Sequence, residues 1–258
     1  MNKSEIVNYI VSWLEKYCTN SFQKGYVVGI SGGIDSALTS TLCALTGKKV
    51  LVVSLPLRQK KNEYERAAKH IEYLVNKYPN VSMLDIDLSS TFSELERTLP
   101  NYVAENKLAM ANTRSRLRMT TLYAIGQSNQ LLVAGTGNKI EDFGVGFFTK
   151  YGDGGVDVSP IADLTKTEVR TLSTYLQIDK SILQAEPTDG LWDEDGRTDE
   201  NQIGANYPEL EWAMAFNGNE SILSEREKEV LAIYRKFNTA NKHKMEAIPV
   251  CIIPSEYK

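Results

Sequence analysis

Short apolar runs alternate along this chain with longer segments in which hydrophobic residues recur at helical spacing. The apolar runs cover residues 27–30, 50–55, 81–87 and 131–135. Helical patterns are strongest over residues 4–17, 62–77, 207–216 and 224–238. Continuous apolar strands that alternate with helices are typical of a parallel sheet covered by helices on both faces. The pattern therefore predicts a doubly wound α/β fold.

Two segments stand apart from this alternation. Residues 102–128 form a long helical pattern without proline, as one helix or two, and its length suits an oligomer interface as well as a core. Residues 186–200 hold seven acidic residues and one basic residue, a composition that favours a mobile loop. Because this loop lies between structured parts, we expect a mobile lid at 186–206 within a single domain that covers residues 1–258.

The composition is that of an ordinary globular protein. Of the 258 residues, 42% are hydrophobic and 24% are charged, and the formal net charge is −4. No charge excess indicates a nucleic-acid or membrane partner, and no apolar run approaches the roughly 18–20 residues of a membrane span. The N-terminus shows no signal-peptide pattern, so we expect a cytoplasmic protein.

Cysteine and histidine are scarce. The three cysteines, Cys18, Cys43 and Cys251, form no C-x-x-C pair, and we expect reduced, mostly buried thiols. Neither a zinc knuckle nor a redox motif is supported. The two histidines, His70 and His243, exclude a histidine-rich metal site.

The strongest chemical signal is the turn after the first apolar run. Residues 29–36 read Gly-Ile-Ser-Gly-Gly-Ile-Asp-Ser and pass from a strand through two glycines into a helix. Backbone N–H groups and the positive end of the helix dipole make such a turn a phosphate site. Ser36 is expected to cap the helix and to donate to a phosphate. A plain strand–turn–helix, with Ser36 as the cap, is the structural alternative.

This turn differs from a Walker A loop, in which a lysine contacts the β- and γ-phosphates. Asp35 stands where that lysine would be expected. A bare carboxylate would repel phosphate, so Asp35 indicates a bridging Mg²⁺. The spacing of a dinucleotide-binding G-x-G-x-x-G turn is absent as well.

A second loop, residues 135–142, follows the fourth apolar run. Loops at the carboxyl ends of parallel strands line the ligand crevice, so Thr136, Lys139 and Glu141 are expected on the same rim as the first loop. Glu141 would be a second carboxylate for Mg²⁺ opposite Asp35. A solvated acid at a helix start is the alternative for Glu141.

A third loop, residues 147–157, combines three aromatic residues with a glycine-rich turn. An aromatic platform suits a flat heterocycle, and Lys150 and Asp157 would fix polar groups of that ligand. A hydrophobic plug followed by a turn explains the same segment.

These motifs together resemble a known family. The loop at 31–36 resembles the S-G-G-x-D-S loop of the ATP pyrophosphatases, which place AMP on a substrate oxygen and release pyrophosphate. With the other segments it resembles NAD synthetase, and the resemblance covers residues 25–244. The segments that carry it are 31–36, 112–119, 135–136, 147–155, 164–166, 186–188 and 243–244. The resemblance implies a Rossmann-like sheet of about five parallel strands, of the adenine nucleotide alpha-hydrolase kind.

The resemblance also implies roles by matching position. It implies that Asp35 and Glu141 bind Mg²⁺ and that Asp35 and Lys166 are catalytic. It implies ATP contacts from Gly29, Ile30, Ser31, Gly32, Gly33, Ile34, Asp35, Ser36, Thr136, Lys166 and Thr188. It implies contacts to deamido-NAD (nicotinic acid adenine dinucleotide) from Arg116, Lys150, Asp157, His243 and Lys244.

One segment departs from the family's common pattern. Many members read G-T-D-H-A-A-E where residues 135–141 read Gly-Thr-Gly-Asn-Lys-Ile-Glu, and the spacing from Glu141 to Phe147 is one residue longer. Counting from Thr136 favours Glu141 as the metal ligand, with Asp142 as the alternative.

The reaction that the resemblance implies is the last step of NAD biosynthesis. Deamido-NAD is amidated with ammonia at the expense of ATP, through an adenylated nicotinate, and yields NAD⁺, AMP and pyrophosphate. A glutamine-using synthetase needs a second domain with a nucleophilic cysteine. The first synthetase-like strand of this chain starts at residue 25, which we expect to leave no room for such a domain. Free ammonia is therefore the expected nitrogen source, and the family also implies a homodimer.

Two other functions remain open on the residues alone. An ammonia-fed enzyme of the GMP-synthetase type would share the first loop but not the segment 147–155. A nucleotide-binding module without turnover would not need Asp35, Glu141 and Lys166 together.

Overall fold

A parallel sheet forms the centre of the fold in the computed structural model, which describes residues 1–188, 190 and 198–258. Its strands are β1 (Gly25–Gly29), β2 (Lys49–Ser54), β3 (Val81–Asp85) and β4 (Leu131–Val133). All neighbours pair in parallel, in the order β3-β2-β1-β4. An isolated parallel bridge joins Ala134 to Val158 beyond the end of β4. The predicted doubly wound sheet is confirmed, with four strands in these residues where about five were expected.

Helices join the strands and continue beyond the sheet. The first six are α1 (Lys3–Asn20), α2 (Ile34–Leu45), α3 (Lys61–Lys77), α4 (Ser89–Thr98), α5 (Asn101–Ala104) and α6 (Lys107–Asn129). After β4 come a π-helix (Lys139–Val145), α7 (Lys166–Tyr175), α8 (Lys180–Leu183), α9 (Asp199–Ile203), α10 (Tyr207–Ala215) and α11 (Glu225–Met245), with 3₁₀ turns at Glu220–Ile222 and Ser255–Tyr257. The long pattern at 102–128 is thus two helices. They separate before Asn106, whose side chain caps α6 by accepting from the N–H of Ala109.

Side chains of β1 alternate between two hydrophobic cores. Tyr26 and Val28 are fully buried on one face, in the core that also receives α1, α2, α3 and α7. Val27 is fully buried on the other face, in a core with Phe92 of α4 and Met110 of α6. Burial on both faces explains why the strands read as continuous apolar runs rather than as alternating patterns.

A third hydrophobic cluster lies beyond the sheet. It packs Ile140 and Val145 of the π-helix against α10 and α11. Asn238 and Asn241 of α11 donate hydrogen bonds of 2.8 Å to the carbonyls of Gly144 and Val145, respectively. These contacts hold the π-helix at the carboxyl edge of the sheet.

The remaining predictions about organisation have mixed outcomes. Of the predicted lid at 186–206, residues 189 and 191–197 lie outside the described residues, and 199–203 form α9. The lid and the single-domain division therefore stay predictions. Cys18 and Cys43 are buried free thiols, whereas Cys251 is exposed. Among the described helices, none is long and apolar enough to cross a bilayer.

His70 gives the folded state a predictable response to acid. It is buried against α2 with Nε2 3.0 Å from Ser40 Oγ, and burial lowers the pKa of the imidazole to about 4. Between that value and the about 6.5 of an exposed histidine, the unfolded chain binds a proton that the folded chain does not. The free energy of unfolding therefore falls as the pH falls. We expect protonation of His70 in the unfolded chain to lower it by about 2 kcal/mol between pH 7 and pH 5. Urea denaturation at both pH values measures this loss, and His70→Gln should show a smaller one; an unchanged pH dependence in the variant would contradict the assignment.

Candidate active site

The turn between β1 and α2 is built around serine hydroxyls. Ser36 Oγ donates to the carbonyl of Gly33 at 3.0 Å and accepts from the N–H of Ser31 at 3.2 Å. Ser31 Oγ accepts from the N–H of Gly33 at 3.2 Å. The helix N-cap is Gly33, without a side-chain cap, so the prediction that Ser36 is the cap was wrong. Ser36 lies in the first turn of α2 and closes the loop from inside the helix.

Gly32 is required by the way this turn packs. Its φ is +84°, and a Cβ at this position would lie 2.4 Å from the backbone oxygen of Glu63 in α3. A side chain would therefore be strained by the backbone conformation and would also collide with α3. The turn can consequently approach α3 closely while it faces the crevice.

A buried lysine joins the two predicted metal-ligating carboxylates. Lys166 Nζ, at the start of α7, donates to Asp35 Oδ2 at 2.6 Å and to Glu141 Oε1 at 2.9 Å. The Lys166 side chain is 4% exposed, and those of Asp35 and Glu141 are 17% and 18% exposed. Lys166 is therefore the centre of a three-residue charge cluster at the carboxyl edge of the sheet.

Two neutral side chains complete this cluster. Asn138 donates from Nδ2 to Asp35 Oδ1 at 3.1 Å and accepts from the N–H of Glu141 through Oδ1. Tyr207 donates from its hydroxyl to Glu141 Oε1 at 2.5 Å, and its ring centroid lies 4.9 Å from Lys166 Nζ. Asn138 thus ties the loop after β4 to the phosphate turn, and Tyr207 ties it to α10.

The charges of the cluster depend on one another. Burial favours a neutral amine, but Asp35 and Glu141 outweigh it and raise the pKa of Lys166. Burial by itself would raise the pKa of Glu141. Lys166 and the Tyr207 hydroxyl outweigh burial and hold that pKa below its usual range. Burial and the neighbouring Glu141 raise the pKa of Asp35. Lys166 therefore remains an ammonium ion at neutral pH.

Asp142 lies next to this cluster in a different setting. Its carboxylate packs on Gly137, where a Cβ would lie 1.9 Å from Asp142 Oδ2. Burial, Glu141, Asp153 and Asp35 raise the pKa of Asp142 to about 8. The hydrogen bonds from Lys166 go to Asp35 and Glu141, the two carboxylates on either side of it.

The cluster and the phosphate turn face one cavity of about 590 Å³. Its walls include both loops, Phe147 and Phe148, the side chain of Lys244, and Thr188. A cavity of this size accommodates a small organic ligand.

The comparisons with known proteins agree with this geometry. The NAD synthase family matches residues 6–258. The chain belongs to the NAD synthase family. The resemblance predicted from the motifs is thereby confirmed, and the enzyme class of the family is that of ligases that form a C–N bond.

Relatives and solved structures cover most of the chain. The NH(3)-dependent NAD(+) synthetase of Carboxydothermus hydrogenoformans is 35% identical over 95% of this chain and 96% of its own. That of Mycoplasmopsis pulmonis is 38% identical over 79% of this chain and 76% of its own. The structure of NMN synthetase from Francisella tularensis matches with a TM-score of 0.85 at 29% identity and covers 99% of both chains. NH3-dependent NAD synthetase from Campylobacter jejuni has the same fold, with a TM-score of 0.79 at 24% identity over 98% of this chain.

The structure places most of the residues carried over from the family at this cavity. Those that line it are Gly29, Ile30, Ser31, Gly33, Ile34, Asp35, Ser36, Thr136, Glu141, Lys166, Thr188 and Lys244. Gly32 lies within the turn. Thr188 donates to Glu63 Oε1 at 3.1 Å, so the residue expected at ATP also contacts α3.

The cationic residues assigned to deamido-NAD are linked through backbone carbonyls. Lys150 Nζ donates to the carbonyl of His243, and Arg116 Nε donates to the carbonyl of Lys150 at 3.3 Å. Lys244 Nζ donates to the carbonyl of Phe148 at 2.7 Å and lies 5.0 Å from the centroid of that ring. The end of α11 thus lies against the aromatic loop.

Asp157 is placed differently. Its Oδ2 accepts from the N–H of Val133 at 2.8 Å, and its Oδ1 accepts from the Tyr123 hydroxyl at 3.1 Å. Among the described residues it does not line the cavity. In a single chain Asp157 therefore supports the end of β4, and the structure does not bring it to the other residues assigned to deamido-NAD.

The aromatic loop combines the two interpretations of its sequence. Phe147 packs against the third hydrophobic cluster, as a plug would, yet both Phe147 and Phe148 line the cavity. Ser115 of α6 fixes the following turn by donating to Asp153 Oδ1 at 2.7 Å and accepting from the Asp153 N–H at 2.8 Å. Ser115 and Asp153 lay inside the motifs but received no role, because only the fold shows that they are paired.

Tyr207, Asn138 and Glu63 were missed for a related reason. Nothing in the local sequence of Tyr207 marks it as a partner of Glu141, which precedes it by 66 residues. Asn138 lay in the second loop, and its capping position before a helix was the one available signal.

Proposed function

We propose that this protein amidates deamido-NAD with ammonia and ATP, yielding NAD⁺, AMP and pyrophosphate. The observation that carries the proposal is the buried Asp35–Lys166–Glu141 cluster beside a phosphate-binding turn, at one cavity, in a member of the NAD synthase family. Curated relatives named NH(3)-dependent NAD(+) synthetase support ammonia as the nitrogen source.

The reaction would proceed in two displacements. In the first, the nicotinate carboxylate attacks the α-phosphorus of ATP, and the bond from that phosphorus to the bridging oxygen of pyrophosphate breaks. In the second, the nitrogen of ammonia attacks the carboxyl carbon, the bond to the AMP oxygen breaks, and one proton is released. The N–H groups of the turn at 31–36 would bind phosphate oxygens, and Lys166 would offset charge on the departing pyrophosphate. Holding the carboxylate in line with the α-phosphorus would supply the remaining rate acceleration.

The residues present fit a magnesium ion. Asp35 and Glu141 are hard oxygen donors that already share one cation within 3 Å, and Mg²⁺ in phosphate chemistry takes one or two carboxylates and completes its shell with water and substrate oxygens. Asp35 and Glu141 would hold the ion. When bound, it would neutralise charge on the phosphate oxygens of ATP.

Further properties belong to this proposal. The protein would act as a homodimer in the cytoplasm, and the segment 186–206 would close over the adenylated intermediate to exclude water. In such a homodimer, some contacts to deamido-NAD would come from the second subunit.

A second substrate has one specific observation in its favour. The solved structure with a TM-score of 0.85 and full coverage is described as NMN synthetase. An enzyme that makes NMN by the same chemistry would amidate nicotinic acid mononucleotide, which carries the same reacting carboxylate but lacks the AMP half of deamido-NAD.

One assay tests the proposal. Purified protein is incubated with ATP, Mg²⁺ and ammonium, and with deamido-NAD, nicotinic acid mononucleotide or xanthosine monophosphate, while amide product, AMP and pyrophosphate are quantified. We expect equal amounts of all three products with deamido-NAD, and no glutamine hydrolysis when glutamine replaces ammonium in a parallel incubation. Turnover with nicotinic acid mononucleotide alone selects the second substrate. Turnover with xanthosine monophosphate alone, or none at all, rejects NAD⁺ synthesis.

A further inference from the structure

Helix α3 and the segment before it are in direct contact with the phosphate turn. Gln59 Nε2 donates to the carbonyl of Ser31 at 3.1 Å, and Arg66 Nε donates to the carbonyl of Gly32 at 3.2 Å. The close approach of Gly32 to the backbone of Glu63 fixes the helix on the turn. Side chains on this face of α3 therefore have a defined position relative to the phosphate-binding N–H groups.

The turn itself carries an anionic side chain where a phosphate-binding lysine is common. ATP brings about four negative charges to it, so cations must be supplied from elsewhere. Lys166 already contacts two carboxylates, and Lys244 donates to the carbonyl of Phe148. In the described residues, Lys166 contacts the turn only through the Asp35 side chain, and neither ammonium ion donates a hydrogen bond to its backbone.

Arg66 is positioned there. Its Nε is committed to Gly32, but no hydrogen bond or ion pair joins its two terminal nitrogens to the part of the chain that the structure describes. The side chain is half-buried and lines the same cavity as Ser31 and Gly33. A planar guanidinium held through Nε still offers its terminal nitrogens to phosphate oxygens.

We infer that Arg66 is a phosphate-binding residue that contacts the β- and γ-phosphates of ATP and holds pyrophosphate as it leaves. This inference rests on the proposed function, because it assigns a residue to the ATP site of that reaction. Anchoring through Nε preorganises the fork, so little side-chain entropy is lost when phosphate binds. The turn would thus receive from α3 the positive charge that its own sequence does not provide.

The test compares Arg66→Ala and Arg66→Lys with the parent and with Lys61→Ala. Lys61 lies on the same helix with its side chain 90% exposed, so its variant controls for the loss of one positive charge from α3. Binding of magnesium pyrophosphate is measured by titration calorimetry, which does not require turnover. Adenosine binding is measured in parallel, because adenosine lacks phosphates, and the KM values for ATP and deamido-NAD are determined where the parent is active.

We expect Arg66→Ala to weaken pyrophosphate binding and to raise the KM for ATP by about ten- to a hundredfold, since a charge-assisted bidentate contact is lost. Adenosine binding and the KM for deamido-NAD should stay within about twofold, Arg66→Lys should recover part of the loss, and Lys61→Ala should match the parent. Unchanged pyrophosphate binding in Arg66→Ala would overturn the inference. An equal loss of adenosine binding would also overturn it, because Arg66 would then only shape the turn. A parent that binds pyrophosphate but forms no NAD⁺ would reject the proposed function and leave the Arg66 comparison interpretable.

Discussion

Asp35→Asn is expected to lower kcat by about 10²–10³-fold while the protein remains folded, because one preorganised charge at the reacting phosphates is removed. The amide keeps the shape of the carboxylate, and its single oxygen can still accept from Lys166, but its NH2 group cannot accept from Asn138. It cannot neutralise a divalent cation, however, and it is a poorer ligand for Mg²⁺ than a carboxylate. Rates are measured with saturating ATP, deamido-NAD and ammonium over a range of Mg²⁺ concentrations.

A matched control separates this effect from a general loss of charge. Asp163 forms an ion pair with Lys139, and its side chain is 97% exposed, so Asp163→Asn should retain the parent rate. The Asp35 variant should also require more Mg²⁺ for half-maximal rate. A parent-like rate and Mg²⁺ dependence in Asp35→Asn would refute the assignment of Asp35 as a metal ligand.

Lys166→Met should have two large effects. It removes the cation between two buried carboxylates, and breaking a buried ion pair from one side costs about 3–5 kcal/mol. The same substitution should reduce kcat by about 10²–10³-fold, because charge on the departing pyrophosphate is no longer offset at this position. Urea denaturation gives the free energy of unfolding, and steady-state kinetics gives the rate.

The response of Lys166→Met to Mg²⁺ distinguishes the loss of a charge from a simple packing defect, because Mg²⁺ would not repair a packing defect. A divalent cation that binds Asp35 and Glu141 replaces the lost positive charge, so adding Mg²⁺ should stabilise Lys166→Met more than the parent. Lys139→Met serves as the control, because its exposed ion pair with Asp163 contributes no more than about 1 kcal/mol. If Mg²⁺ stabilises parent and variant equally, Asp35 and Glu141 do not form its site.

Parts of the fold could be predicted because their signals are local. The apolar runs at 27–30 and 50–55 correspond to β1 and β2, since strands buried on both faces need no alternation. The strand at 131–135 is shorter than predicted and ends at Val133. Periodicity also left the segment 102–128 as one helix or two, because the break depends on the cap at Asn106.

The candidate site was predictable only where a motif carried it. Asp35 and Glu141 were paired through their loops, and the structure brings both to Lys166. The roles of Tyr207 and Arg66 could not be predicted, because the contacts that define them come from α10 and α3. Asp157 matched its motif, yet in one chain its carboxylate is taken up by Val133 and Tyr123.

The sequence by itself determined the class of fold, the phosphate turn and membership of the family, because each depends on residues that are close together along the chain. Tertiary structure alone decided which helix closes on that turn, that Ser36 closes the loop rather than capping α2, and that Lys166 is held between two carboxylates. Hydrogen bonds and ion pairs act over about 3 Å in space, whatever the distance along the chain. Lys166 and Asp35 are 131 residues apart, and only the packing of α7 against α2 sets their charges side by side.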